Sequence, residues 1–162
     1  MAAIPSARLM LIVTGSTLRA EEVDRPLAYY LKQRIEQYQE SHEPSSSSGG
    51  ALTVRVIADF RWIHDEPLQS LPTISVGGPG VNALAHRWLE DVPVTLAVDD
   101  RYYLQMDPDL DEPRVSIWGM DNATTQLAVA VFLERFFPRF FEHCATLPLN
   151  PIDLDLDLDD TD

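Results

Sequence analysis

The sequence predicts an α/β domain of three layers, with a mostly parallel sheet, helices on both faces and an antiparallel hairpin. Three observations carry this expectation. Leu9-Met-Leu-Ile-Val13 is an uninterrupted apolar run of strand length, as in a central parallel strand covered on both sides. Strand-like and helix-like segments then alternate along most of the chain, the order expected of parallel β-strands joined by helices. Finally, Val94–Val98 and Arg101–Met106 flank Asp99-Asp100, two strands around a turn-forming pair.

The elements follow in order. The first strand is closed by Thr14-Gly15-Ser16, and a helix is expected to start at Asp24-Arg25-Pro26, since proline suits a first helical turn. Leu27, Tyr30, Leu31, Arg34, Ile35 and Tyr38 fall largely on one of its faces. His42 to Gly50 is rich in serine and glycine and reads as a flexible surface loop at 42–50. Leu52–Ala58 is a strand rich in β-branched residues. Asp59 to Pro72 shows no sustained period and reads as a short helix with loops. Thr73–Val76 is a third strand, ending in Gly77-Gly78-Pro79-Gly80. Val81, Leu84, Ala85, Trp88 and Leu89 then form the clearest helical stripe in the chain. After the hairpin and an acidic connector from Pro108 to Pro113, Arg114–Trp118 is a strand ended by Gly119. Asp121 or Asn122 caps the next helix, which is apolar nearly all round from Leu127 to Leu133 and is expected to break or kink at Pro138. Residues 1–150 form a single domain in this reading, and 151–162 an acidic tail.

Of the 162 residues, 26 are acidic and 12 basic, giving a net charge of −14. Six of those acids lie in the last ten residues, so the remainder carries −8. This charge excludes nucleic acid as the main partner, because phosphate binding needs clustered Lys and Arg. Cys144 is the only cysteine, which excludes an intramolecular disulfide and a CxxC zinc site. No apolar run is long enough to span a membrane, and the N-terminus lacks the order of a signal peptide, so the expected location is cytoplasmic. The tail alternates Asp and Leu from Asp153. A solvated tail, an edge strand and a docking peptide for a protein partner all fit that pattern. Oligomeric state is left open, homo-oligomerisation included.

Open α/β sheets bind ligands outside the carboxyl ends of their strands. Three strand-to-helix turns are therefore candidates: one carries Gly15 and Ser16, the second Gly77, Gly78, Gly80 and Asn82, and the third Asp121, Asn122 and Thr124. Glycine admits close approach of a ligand to the main chain, and amides at a helix start favour an anion. Against each stands a structural reading: a tight turn at 77–80, and helix capping by Asp121, Asn122, Thr124 and Thr125. No GxGxxG, no lysine-bearing phosphate loop and no GxSxG is present, so no catalytic residue and no cofactor is assigned. His64-Asp65-Glu66 lacks a metal-binding spacing, and Asp107-Pro-Asp-Leu-Asp111 lacks the glycine and distal Glu of a calcium loop, so no metal is expected.

Val76-Gly-Gly-Pro-Gly-Val-Asn-Ala-Leu84, the hairpin, and Val115-Ser-Ile-Trp-Gly-Met-Asp-Asn-Ala-Thr-Thr125 with its helix resemble a domain of archaeal S-layer-type proteins, over about residues 73–137. That resemblance implies a structural, exported protein. Val13-Thr-Gly-Ser16 and the glycine turn are also similar to Rossmann-like families that include nucleoside-phosphate lyases. That one implies nucleotide binding without lyase activity, because the PGGxGTxxE segment is absent.

The leading expectation is thus a domain that binds a small anionic or nucleotide-like ligand at its glycine-rich turns. The alternative is a non-catalytic protein-interaction or scaffold module with an acidic recruiting tail. A hydrolase or transferase using Ser16 or Asp121 is the third reading.

Overall fold

The structure, a computed structural model, describes residues 8–41, 52–91, 95–99, 101–106 and 113–146. The 42–50 loop, the acidic stretch at 107–112 and the 151–162 tail lie outside them. Strands β1 (Arg8–Thr14), β2 (Leu52–Ala58), β3 (Thr73–Val76), β4 (Thr95–Asp99), β5 (Tyr102–Met106) and β6 (Arg114–Gly119) form one sheet among the described residues, in the order β2-β1-β3-β6-β5-β4. β2, β1, β3 and β6 run parallel, while β5 pairs antiparallel with both β6 and β4. The expected α/β sheet and its hairpin are therefore present.

The helices are α1 (Arg25–Ser41), α2 (Asp59–Ile63), α3 (Glu66–Gln69), α4 (Ala83–Asp91), α5 (Asn122–Val131) and α6 (Phe137–Thr146). Strand side chains alternate between two apolar clusters, as the two-residue period of a strand requires. Met10, Ile12, Val54, Val56 and Ile74 join Leu31 and Ile35 of α1, Ala128 and Val129 of α5 and Phe140 and Phe141 of α6. Leu9, Leu11, Val13 and Ile57 join Trp62 of α2, Leu68 of α3 and Leu84 and Trp88 of α4. The central run Leu9–Val13 feeds both clusters, which is why it shows no alternation in sequence.

Three local expectations are corrected. Tyr30 and Leu89, assigned to apolar stripes, are 48% and 42% exposed, because each lies at the margin of its helix's buried face. Leu127 is 45% exposed, so the apolar helix is not buried all round. Pro26 lies in the first turn of α1, as expected, and Pro138 in that of α6, but neither helix begins afresh there. Each follows a five-residue π-helical segment, Ala20–Asp24 and Phe132–Phe136. The residue before each proline, Arg25 and Phe137, donates its N–H five residues back, to the carbonyls of Ala20 and Phe132. The wider π turn accommodates a ring that would collide with the preceding turn of a regular α-helix, so the helical path continues.

Candidate functional site

β1, β3 and β6 are adjacent and parallel, so the turns after them share one rim of the sheet. The strand order also reverses there. From β1 the chain passes to β2 on one side and then returns to β3 on the other, and crevices open at such reversals. A cleft of about 260 Å³ lies at this rim, lined by residues from the connections after β1, β3 and β6.

The segment after β1 contributes Arg19, Val23 and Asp24. The turn after β3 contributes Gly78, Pro79, Gly80 and Val81, and the end of β6 with the start of α5 contributes Trp118 through Asn122 with Thr125. Of the residues expected from sequence, Gly78, Gly80, Asp121 and Asn122 thus meet at one cleft. Gly15, Ser16, Gly77, Asn82 and Thr124 do not line it.

The hydrogen bonds show what those other residues do. Asn82 is 1% exposed and every polar atom of its side chain is engaged. Its Nδ2 donates to Ser75 Oγ at 3.0 Å, to the Val76 carbonyl at 3.1 Å and to the Val13 carbonyl at 3.4 Å. Its Oδ1 accepts from the amides of Leu84 and Ala85 at 2.9 and 3.2 Å. Ser16 Oγ donates to Asp59 Oδ1 at 2.9 Å, and Asp59 Oδ2 accepts from the amide of Ala83 at 2.7 Å. Asp59 and Asn82 therefore occupy the first amides of α4, the very groups that the sequence offered to an anion. Gly15 is needed for packing: a Cβ there would strike the Val81 carbonyl.

The start of α5 is closed in a similar way. Asp121 is its N-cap, accepting from the amide and the hydroxyl of Thr124, each at 2.8 Å, while Thr124 Oγ1 accepts from the amide of Asp121 at 3.0 Å. This is a capping box with threonine in place of Glu or Gln. Those Thr124 bonds, the backbone one foremost, hold the Asp121 carboxyl below the usual carboxylate range, with Arg101 adding to them. Thr125 Oγ1 donates to the Asp121 carbonyl and accepts from the amide of Gly119. Asn122 is exposed at the cleft.

Residues that the sequence did not single out complete the cleft. Asp24 is 6% exposed, and burial pushes its carboxyl up to about 6 even though the charge of Arg19 opposes the shift. Trp118 is held by stacking on Tyr103, with ring centroids 4.4 Å apart. In sequence, Asp24 marks only the expected start of a helix; in the structure it ends the π-helical segment and lines the cleft. Trp118 was legible only as a strand residue.

The other sequence candidates lie elsewhere. His64 and His86 are exposed, and Cys144 is a buried thiol at 1% exposure. Among the described residues no group of three or more His, Cys, Asp or Glu is placed to hold a metal ion, and no helix is long and apolar enough to cross a membrane. No family model, curated protein or solved structure matches the chain.

Proposed function

We propose that this domain binds a small nucleotide-like ligand in the cleft where its strand order reverses. The observation that carries the reading is the convergence of three post-strand connections on one cleft that holds Arg19, Asp24 and an aromatic wall, Trp118. Concave sites with a few convergent polar groups and an acid of perturbed pKa are the usual form of a small-molecule site.

The ligand's anionic part is best served by Arg19 and by the glycine backbone at 78–80, since the first amides of α4 are taken by Asp59 and Asn82. The similarity of Val13-Thr-Gly-Ser16 to Rossmann-like nucleotide-binding families points the same way as an analogy of fold, with Gly15 serving close packing. The domain acts as a binding module in this reading, and no reaction is assigned to it.

A thermal-shift screen over nucleotides, sugar phosphates and carboxylates tests it. A true ligand at 100 Kd stabilises the protein by about 2.7 kcal/mol. Gly78→Leu fills the cleft from a position where a Cβ meets only Trp118 Cε3, at 3.6 Å, so it should remove the shift and leave the fold intact. If no compound moves the melting temperature, the ligand-binding reading falls and the scaffold-module alternative takes its place.

A further inference from the structure

Asp24 lines the cleft, is 94% buried, and accepts no hydrogen bond from the described residues. Burial makes its charge costly, an effect that the charge of Arg19 only partly offsets, and no donor among the described residues satisfies its oxygens. The backbone also makes room for this carboxylate. Gly77 has φ +112°, and a Cβ at that position would lie 2.6 Å from Asp24 Oδ2. The oxygens of Asp24 are therefore open to a donor that enters the cleft.

The chemistry of that partner is narrowed by its surroundings. An ionised carboxylate only accepts, and its two oxygens suit two adjacent N–H donors. A simple cation would be repelled by Arg19, which lines the same cleft, and a simple anion by Asp24 and Asp121. A neutral ring edge that presents two adjacent N–H groups avoids both repulsions. An anionic group elsewhere on the same molecule can then pair with Arg19, and the ring can pack on the Trp118 wall.

We propose that Asp24 recognises a nitrogen heterocycle whose edge carries a ring N–H beside an exocyclic amine, the edge shared by guanine nucleotides and pterins. This rests on the ligand-binding reading above and names the ligand class of the same cleft.

The test is the affinity of the intact chain for guanosine, inosine and adenosine 5′-monophosphates and for pterin-6-carboxylate, measured by titration calorimetry on wild type and Asp24→Asn. Inosine monophosphate differs from the guanosine compound only in lacking the exocyclic amine. The wild type should bind the guanosine compound at least about tenfold more tightly than the inosine one, the value of one hydrogen bond to a charged group. Asp24→Asn, isosteric and checked for folding by circular dichroism, should lose that preference. Tight binding of the pterin alone, lost in Asp24→Asn, supports the same edge chemistry with the pterin as its source. Equal affinity for the guanosine and inosine compounds without pterin binding, or a preference that survives Asp24→Asn, overturns the assignment. If a different compound from the wider screen binds while Asp24→Asn leaves its affinity unchanged, this inference fails and the ligand-binding reading stands. If nothing binds, both fall.

Discussion

The carboxylate of Asp24 occupies the space that a side chain at position 77 would need: a Cβ on Gly77 would stand 2.6 Å from Asp24 Oδ2. Two elements distant in sequence, the π-helical segment after β1 and the turn after β3, are thus fitted to each other at the cleft. Gly77 is required twice over, by its φ of +112° and by this contact. Gly77→Ala should therefore destabilise the fold by about 2–3 kcal/mol. Gly80→Ala, where a Cβ meets nothing within 4 Å, should stay within about 0.5 kcal/mol. Urea unfolding of both variants makes the comparison.

Asp24 also sets a pH dependence whose sign is fixed by burial. Its carboxyl is raised from an ordinary 3.8 to about 6 in the folded state, so the folded protein holds the proton more tightly than the unfolded chain. Its contribution to stability is fully present below about 4 and is lost as pH rises through 6. Asp24→Asn removes that loss. The variant should match wild type near pH 4 and exceed it at pH 8 by at most about 3 kcal/mol. Melting temperatures across that range decide the matter, and a constant difference between the two proteins would contradict it. An acid that weakens the resting fold is what a ligand-facing role would leave behind.

Asn82 ties β1, β3 and α4 with one side chain, through Val13, Ser75, Val76, Leu84 and Ala85. Asn82→Ala leaves buried groups unpaired and should cost about 2–4 kcal/mol in chemical denaturation. A loss under about 1 kcal/mol would mean that water or a neighbour replaces those bonds, and the residue would return as a ligand candidate.

Asp59 caps α4 through the Ala83 amide, bonds the Phe60 amide at 2.7 Å and receives the Ser16 hydroxyl. Asp59→Ala should cost about 2–3 kcal/mol and Ser16→Ala under about 1 kcal/mol. In a double-mutant cycle the two should couple, because each removes the same Ser16–Asp59 bond. Additive losses would show that Ser16 does not depend on Asp59. Ligand affinity, where a ligand is found, should be unchanged by Ser16→Ala, since Ser16 does not line the cleft.

The sequence by itself determined the α/β class, the strands and most of their boundaries. Leu52–Ala58 and Thr73–Val76 are strands over the ranges that their β-branched runs mark, and β4 and β5 pair antiparallel as the expected hairpin. These features are local: a strand's period and a turn's composition are written in consecutive residues. The three post-strand turns were legible for the same reason.

Which of their residues line the cleft was decided only by the tertiary structure. Asn82 and Asp121 look alike in sequence, both polar and both at a helix start. Asn82 is drawn into the core by Ser75, Val76 and Val13, while Asp121 stays at the cleft. Asp59 could not be linked to Ala83 before β2 and β3 were placed on either side of β1. Asp24 lines the cleft from the end of a π-helical segment, a local rearrangement that rules based on regular α-helices do not produce. Strand pattern is a property of neighbours along the chain. A binding residue is defined by which of its hydrogen bonds remain unmade after folding, and that depends on partners brought together from distant parts of the chain.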